Sequence, residues 1–201
     1  MLIIKEEKIK SESDTIRFYL SYPVIENDLD FISNINEIIY QDIKSFKELA
    51  TFSINKPTTK QPHNKINILS EYKITLNENQ IISIYIEFSQ LIGLYDITYV
   101  NSYNYDINLE KEIILKDLFK EDVDYINIIN YFILKDIDEY LYYEFKGVSD
   151  ENIFYITKEY LVICFSSYEL DKKYSVALEF KIPLDKIKYY LSDYILNNIL
   201  I

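Results

Sequence analysis

Tryptophan is absent from this chain of 201 residues, and glycine, histidine and cysteine are nearly so: Gly93, Gly147, His63 and Cys164 are the whole supply. Each shortage closes a class of chemistry. Loops of the G-x-G-x-x-G or P-loop kind need several glycines in one short stretch, and two isolated ones cannot build either. Zinc needs three or four His, Cys or carboxylate ligands at recognisable spacing. A Ser-His-Asp or Cys-His site would have to use His63, which lies in the loop-like stretch NKPTTKQPHNK, where a rigidly held base is not expected. One cysteine permits no intrachain disulfide. In the run YLVICF, Cys164 alternates against Leu161, Ile163 and Phe165, which points to a buried thiol. The acids Glu121, Asp122 and Asp124 lack the glycine and length of a calcium loop and read as a helix start. No cofactor and no metal are expected.

Long apolar runs are also missing. Nothing approaches the ~18 residues of a membrane helix, and the opening MLIIKEEKIK is too short in its apolar part for a secretory signal, so the expectation is a cytoplasmic protein. Basic residues are outnumbered, 21 Lys and Arg against 33 Asp and Glu, for a net charge of −12. No basic stripe for nucleic-acid phosphates or for an anionic membrane surface is expected. Such a field keeps a domain soluble, and it also steers a basic protein or cationic ligand towards it.

What the chain has is isoleucine and tyrosine. Hydrophobic residues make up 49%, with 21 Tyr and 11 Phe. Ile, Asn, Lys and Tyr are abundant together, as the codon usage of an AT-rich genome would produce. β-Branched and aromatic residues favour pleated, half-buried surfaces. Thr15 to Tyr22 alternates as a strand, with Pro23 ending it or placing it at an edge. From Asn27 the period turns helical, with Ile32, Ile35, Ile39, Ile43, Phe46 and Ala50 three and four apart. Ile66–Leu76 and Gln80–Phe88 form a hairpin across Asn77-Glu78-Asn79. A third strand over 94–107 puts Tyr95, Tyr99, Tyr103 and Tyr105 on one face, opposite Asp96, Asn104 and Asp106. Ile113–Phe119 reads as a short strand running into a turn. A second helix from Asp122 carries Ile126, Ile129, Ile133, Ile137, Tyr140 and Leu141, with Gly147 just beyond it. Three more strands lead to a last helix starting at Pro183.

Strands in groups between helices define an α+β fold with mainly antiparallel sheet, two long helices and a C-terminal helix. The helix-then-strands order occurs twice, which suggests two related half-units. Two chemical readings follow from the residues. The tyrosine face suits an interface, because tyrosine buries area and still offers a hydroxyl. Paired carboxylates such as Asp96 with Asp106, or Glu169 with Asp171, suit glycosidase chemistry, although 33 acids produce such pairs by chance.

Three segments, SYNYDINLEKEIILKDLF (102–119), ENIFYITKEYLVICFSSYEL (151–170) and ALEFKIPLDKIKYYL (177–191), resemble a bacterial family in their order and spacing. This is the RsiV-like family, comprising the extracytoplasmic domain of the anti-sigma factor RsiV and the non-catalytic module of PdaC-type peptidoglycan deacetylases. YPVI (22–25) and SNINEII (33–39) resemble the half found upstream in the same proteins. The resemblance implies a PdaC-type N-terminal half over 1–100 and an RsiV-like half over 101–201, packed as one compact unit. The family's G-G-A-H-G motif is represented by IGLYD (92–96), which keeps Gly93 and places Tyr95 where the histidine falls. Glu110 replaces the glycine of D-x-x-x-G-K, and KKYSVA (172–177) stands for Y-A-x-G. The family's deacetylase chemistry belongs to a separate domain with histidine metal ligands. The implied function is therefore binding or sensing rather than catalysis, with a lysozyme-like basic protein or a cell-wall glycan fragment as ligand. Joined to the tyrosine face, the resemblance gives Gly93, Tyr95, Asp96, Tyr99, Tyr103, Tyr168 and Glu169 as binding residues. The alternatives are a carboxylate-based glycan hydrolase using Asp96, Asp106 or Glu169, and an intracellular interaction protein that has lost the family site.

Overall fold

The computed structural model describes residues 1–54, 65–92, 95–170 and 176–199; the side chains of 53, 54, 92, 95 and 96 lie outside that description. Six strands form one sheet in the order β1 (Ile3–Glu12), β2 (Ile16–Glu26), β3 (Ile66–Glu78), β4 (Ile81–Ile92), β5 (Tyr95–Asp106) and β6 (Lys111–Glu112). Three more form a second sheet, β7 (Ile153–Ile156), β8 (Tyr160–Phe165) and β9 (Leu178–Pro183). The helices are α1 (Asp30–Ile54), α2 (Tyr125–Asp136), α3 (Glu139–Tyr142), α4 (Leu184–Ile187) and α5 (Asp193–Asn198). The fold is α+β and mainly antiparallel, as the grouping of strands predicts; β2 and β3, joined through α1, are parallel. Two compact units divide the chain, one made of Leu2–Lys73 and Ile86–Tyr99, the other of Ile74–Tyr85 and Val100–Ile201. Among the described residues no helix is long and apolar enough to cross a membrane.

In the first unit the apolar stripe of α1 is the organising feature. Ile32, Ile35, Ile39 and Ile43 are all but inaccessible and Ala50 is buried, each isoleucine contributing about 1.5–3 kcal/mol of burial. Asn36 is the polar exception on this helix. Its Oδ1 accepts the Ile25 N–H at 2.8 Å and its Nδ2 donates to the Ile25 carbonyl at 2.9 Å. One side chain thus substitutes for the missing strand neighbour of β2. The ladder to β3 stops at Leu20↔Ser70, where Ser70 Oγ donates to the Ser21 carbonyl. Beyond that point β2 has a ladder on one side only, which is why it runs straight through Pro23 instead of ending there. The N-terminal strand β1 has no apolar alternation to announce it. It is mostly exposed and forms by pairing with β2 over ten residues, from Ile3↔Glu26 to Glu12↔Arg17. Its lysines and glutamates suit an edge strand.

In the second unit, β8 lies between β7 and β9, and its alternation serves two cores. Leu161, Ile163 and Phe165 join Ile129 and Ile133 of α2 and Leu184, Ile187, Leu191 and Ile195 near the C-terminus. Val162 and Cys164 face Tyr85, Val100 and Tyr155, and the thiol is fully buried as expected. The hairpin turn falls at Asn79-Gln80, ending one residue beyond the expected Asn77-Glu78-Asn79, and both residues have positive φ (49° and 63°). A two-residue turn must have this hand to match the strand twist. Of the strand and turn expected over 113–119 only the turn forms, as a 3-10 turn at Leu115–Leu118, with Asp117 accepting the Ile114 N–H at 3.1 Å. The second helix breaks at Ile137, which is extended, and Asp138 caps the short α3 by accepting the Leu141 N–H. The last helix is likewise broken, into α4, a 3-10 turn at Lys188–Tyr190 and α5 capped by Ser192.

Candidate functional site

β5 ends at Asp106, and the chain there turns back into β6 and the 3-10 turn that follows. These segments, with Ser192 and Tyr194 at the start of α5, enclose a concavity of about 540 Å3. Asp106 is 5% exposed, which a carboxylate tolerates only when its oxygens are bonded. They are. Oδ1 accepts the Leu109 N–H at 3.0 Å and Oδ2 accepts the Tyr194 hydroxyl. Burial pushes the Tyr194 phenol well above the usual tyrosine range, and its bond to the Asp106 carboxylate adds to the shift. At the rim Lys111 Nζ pairs with Asp117 Oδ1 at 2.8 Å, and Ser192 Oγ donates to the Asp117 carbonyl at 3.0 Å. Ile113, Ile114 and Phe119 supply the apolar lining. Lys116 and Glu121 also line it.

The residues expected to bind do not assemble into one tyrosine platform. Gly93 lies outside the described residues, as do the side chains of Tyr95 and Asp96, and likewise His63 and Asp171. Tyr99, in the first unit, is 49% exposed, but Tyr103, in the second, is 3% exposed, with Asn101 Nδ2 donating to its hydroxyl. The reason is that β5 is covered near its end: Tyr103, Asn104, Tyr105 and Asp106 are buried on both faces of the strand. Tyr168 is 39% exposed and has φ of 64° in the turn after β8. Glu169 closes that turn, its Oε2 accepting the Ser166 N–H at 2.7 Å. Ser166 Oγ in turn accepts the Val100 N–H at 3.2 Å.

Sequence reasoning marked Asp106 as one acid of a sheet face, but it did not join it to Tyr194. They are 88 residues apart, and no local spacing encodes that pairing. Asp117 had a signal that could have been read: an acid three residues after Ile114 is the spacing that closes a tight turn. Among the described residues no group of three or more His, Cys, Asp or Glu side chains is placed to hold a metal ion.

The fold is shared by two crystal structures of DUF3298 family proteins. One, from Bacteroides fragilis, superposes with a TM-score of 0.66 at 10% identity and covers 99% of this chain and 97% of its own. The other, from Pseudomonas aeruginosa, has a TM-score of 0.56 at 11% identity, covering 96% and 94%. The sequence itself divides between two family descriptions. Residues 9–93 match Deacetylase PdaC, and residues 116–185 match the protein of unknown function DUF3298. The chain thus carries a PdaC-like stretch followed by a DUF3298-like one. It is 26% identical over 198 residues to the peptidoglycan-N-acetylmuramic acid deacetylase PdaC of Bacillus subtilis, covering 91% of this chain. It spans 41% of that protein's length.

Proposed function

We propose that this domain is a non-catalytic recognition module for a cell-wall glycan. The observation that carries the reading is the state of the two candidate acids whose side chains the structure describes, Asp106 and Glu169. Both oxygens of Asp106 are engaged, by Leu109 and Tyr194, and Glu169 closes its own turn. A general acid or nucleophile must face its substrate, whereas these carboxylates hold the backbone in place. The named relative acts on peptidoglycan, and this chain corresponds to two fifths of it. The glycan is accordingly the ligand class carried over, and the deacetylation is not. Incubation with purified peptidoglycan tests the proposal: co-sedimentation is expected, without release of acetate or of reducing ends. Release of either at a steady rate, or no retention at all, would overturn it.

A second reading has one observation in its favour. The net charge of −12 suits a basic protein partner. Retention on immobilised lysozyme at low salt, lost as salt rises, would support that reading; no retention at low ionic strength would remove it.

A further inference from the structure

A second concavity of the same unit, about 650 Å3, runs between the outer face of α2 and the α4 region. Asp122, Asn127, Tyr131 and Phe132 form one wall, Lys186 and Tyr190 the other. Its volume is in the range of small-ligand sites. Two features set it apart from an ordinary surface dip. Tyr131 is 55% exposed and Tyr190 44% exposed, and their hydroxyls make no bond to any other described residue. Large aromatic rings exposed on both walls of one groove leave apolar surface uncovered that a ligand could bury. The polar groups beside them are also available. Asp122 has no partner among the described residues, and Asn127 donates its backbone N–H and one side-chain N–H to Asp124, leaving its amide oxygen as an acceptor.

The charges in the groove decide which ligand fits. Lys186 lines it, and Lys135 already sits over the Tyr131 ring at 4.2 Å from the centroid. A polycation would meet two ammonium groups. A polyanion would meet Asp122 and Asp124. The balance favours a neutral molecule with flat C–H faces for the rings and hydroxyls for the carboxylate and amide oxygens. A pyranose has both. We infer that the α2–α4 groove is a saccharide-binding site, with Tyr131 and Tyr190 as stacking platforms and Asp122 and Asn127 as hydroxyl acceptors. This rests on the glycan-recognition reading above and locates it away from the Asp106 concavity.

The test uses the full chain with purified peptidoglycan as an insoluble probe and a soluble N-acetylglucosamine tetramer as competitor. Tyr131→Ala, Tyr190→Ala and Tyr143→Ala are compared with the unmodified protein. Tyr143 is 73% exposed and lies outside the groove's lining. Each of these side chains is exposed, so thermal unfolding should be unchanged. The two groove variants are expected to weaken retention about tenfold each, as loss of an aromatic anchor does. Tyr143→Ala should leave retention unaltered, and the tetramer should compete. If the unmodified protein binds and the groove variants bind equally well, the groove assignment falls while glycan recognition stands. If Tyr143→Ala weakens binding as much as they do, the adhesion is non-specific and the assignment falls too. If the unmodified protein does not bind, both inferences fall together.

Discussion

Ser83 is the residue whose loss should do most damage for the smallest change in shape. It sits in β4 with no solvent exposure, and a hydroxyl has one proton to give and two lone pairs. All three are used. Oγ donates to Asn104 Oδ1 at 2.6 Å and accepts from Thr75 Oγ1 at 2.9 Å and from the Ile156 N–H at 3.0 Å. Asn104 Nδ2 continues the chain to the Phe154 carbonyl at 2.9 Å. The outward-facing backbone groups of β7 are therefore satisfied by side chains of β4 and β5, closing a sheet edge inside the second unit. Ser83→Ala removes one oxygen and leaves almost no cavity. Thr75 keeps a bond to the Ser83 carbonyl at 3.1 Å, but the Ile156 N–H and the Asn104 amide oxygen are orphaned. Each buried unsatisfied group costs about 1–3 kcal/mol, so the loss should total about 2–6 kcal/mol. Urea unfolding should show the midpoint falling by about 1–2 M with the slope unchanged. The double variant with Asn104→Ala should lose less than the sum of the single losses, because the two residues share one network. A loss under about 0.5 kcal/mol, the level of a neutral surface change, would refute the closed-edge account.

Two further outcomes follow from the same structure. Gly147 has φ of +94°, and a Cβ there would lie 3.1 Å from Asn130 Nδ2, whose amide oxygen accepts the Val148 N–H; Gly147→Ala should destabilise by about 1–3 kcal/mol in the same urea assay, and no change would contradict that backbone geometry. The Tyr194 phenol titrates above its unfolded value near ~10, so the folded state binds more protons above that pH. The stability from this group is complete below the unfolded value and is lost as pH rises towards the folded one. Tyr194→Phe should flatten that alkaline decline while lowering stability at neutral pH, where Asp106 loses a donor; an unchanged alkaline slope would exclude Tyr194 as its source.

The features that can be read from sequence are those with a local period. The isoleucines of α1 recur three and four apart and are buried as that spacing requires. The residues of β8 alternate and separate cleanly into two cores. The binding residues behaved differently. Parity placed Tyr99 and Tyr103 on one face of β5, yet one is half exposed and the other buried, because strand parity fixes direction and not what covers each end.

The chain alone determined its periodic elements, such as α1 and β8, its α+β class and its chemical poverty, since propensity, periodicity and residue supply are properties of neighbours along the backbone. Tertiary structure alone decided that a charged N-terminal segment becomes strand β1, that β4 is buried on both faces, and that Asp106 meets Tyr194. Each of these depends on which distant segment arrives alongside, and that is settled by packing free energy summed over the whole unit rather than by any local pattern.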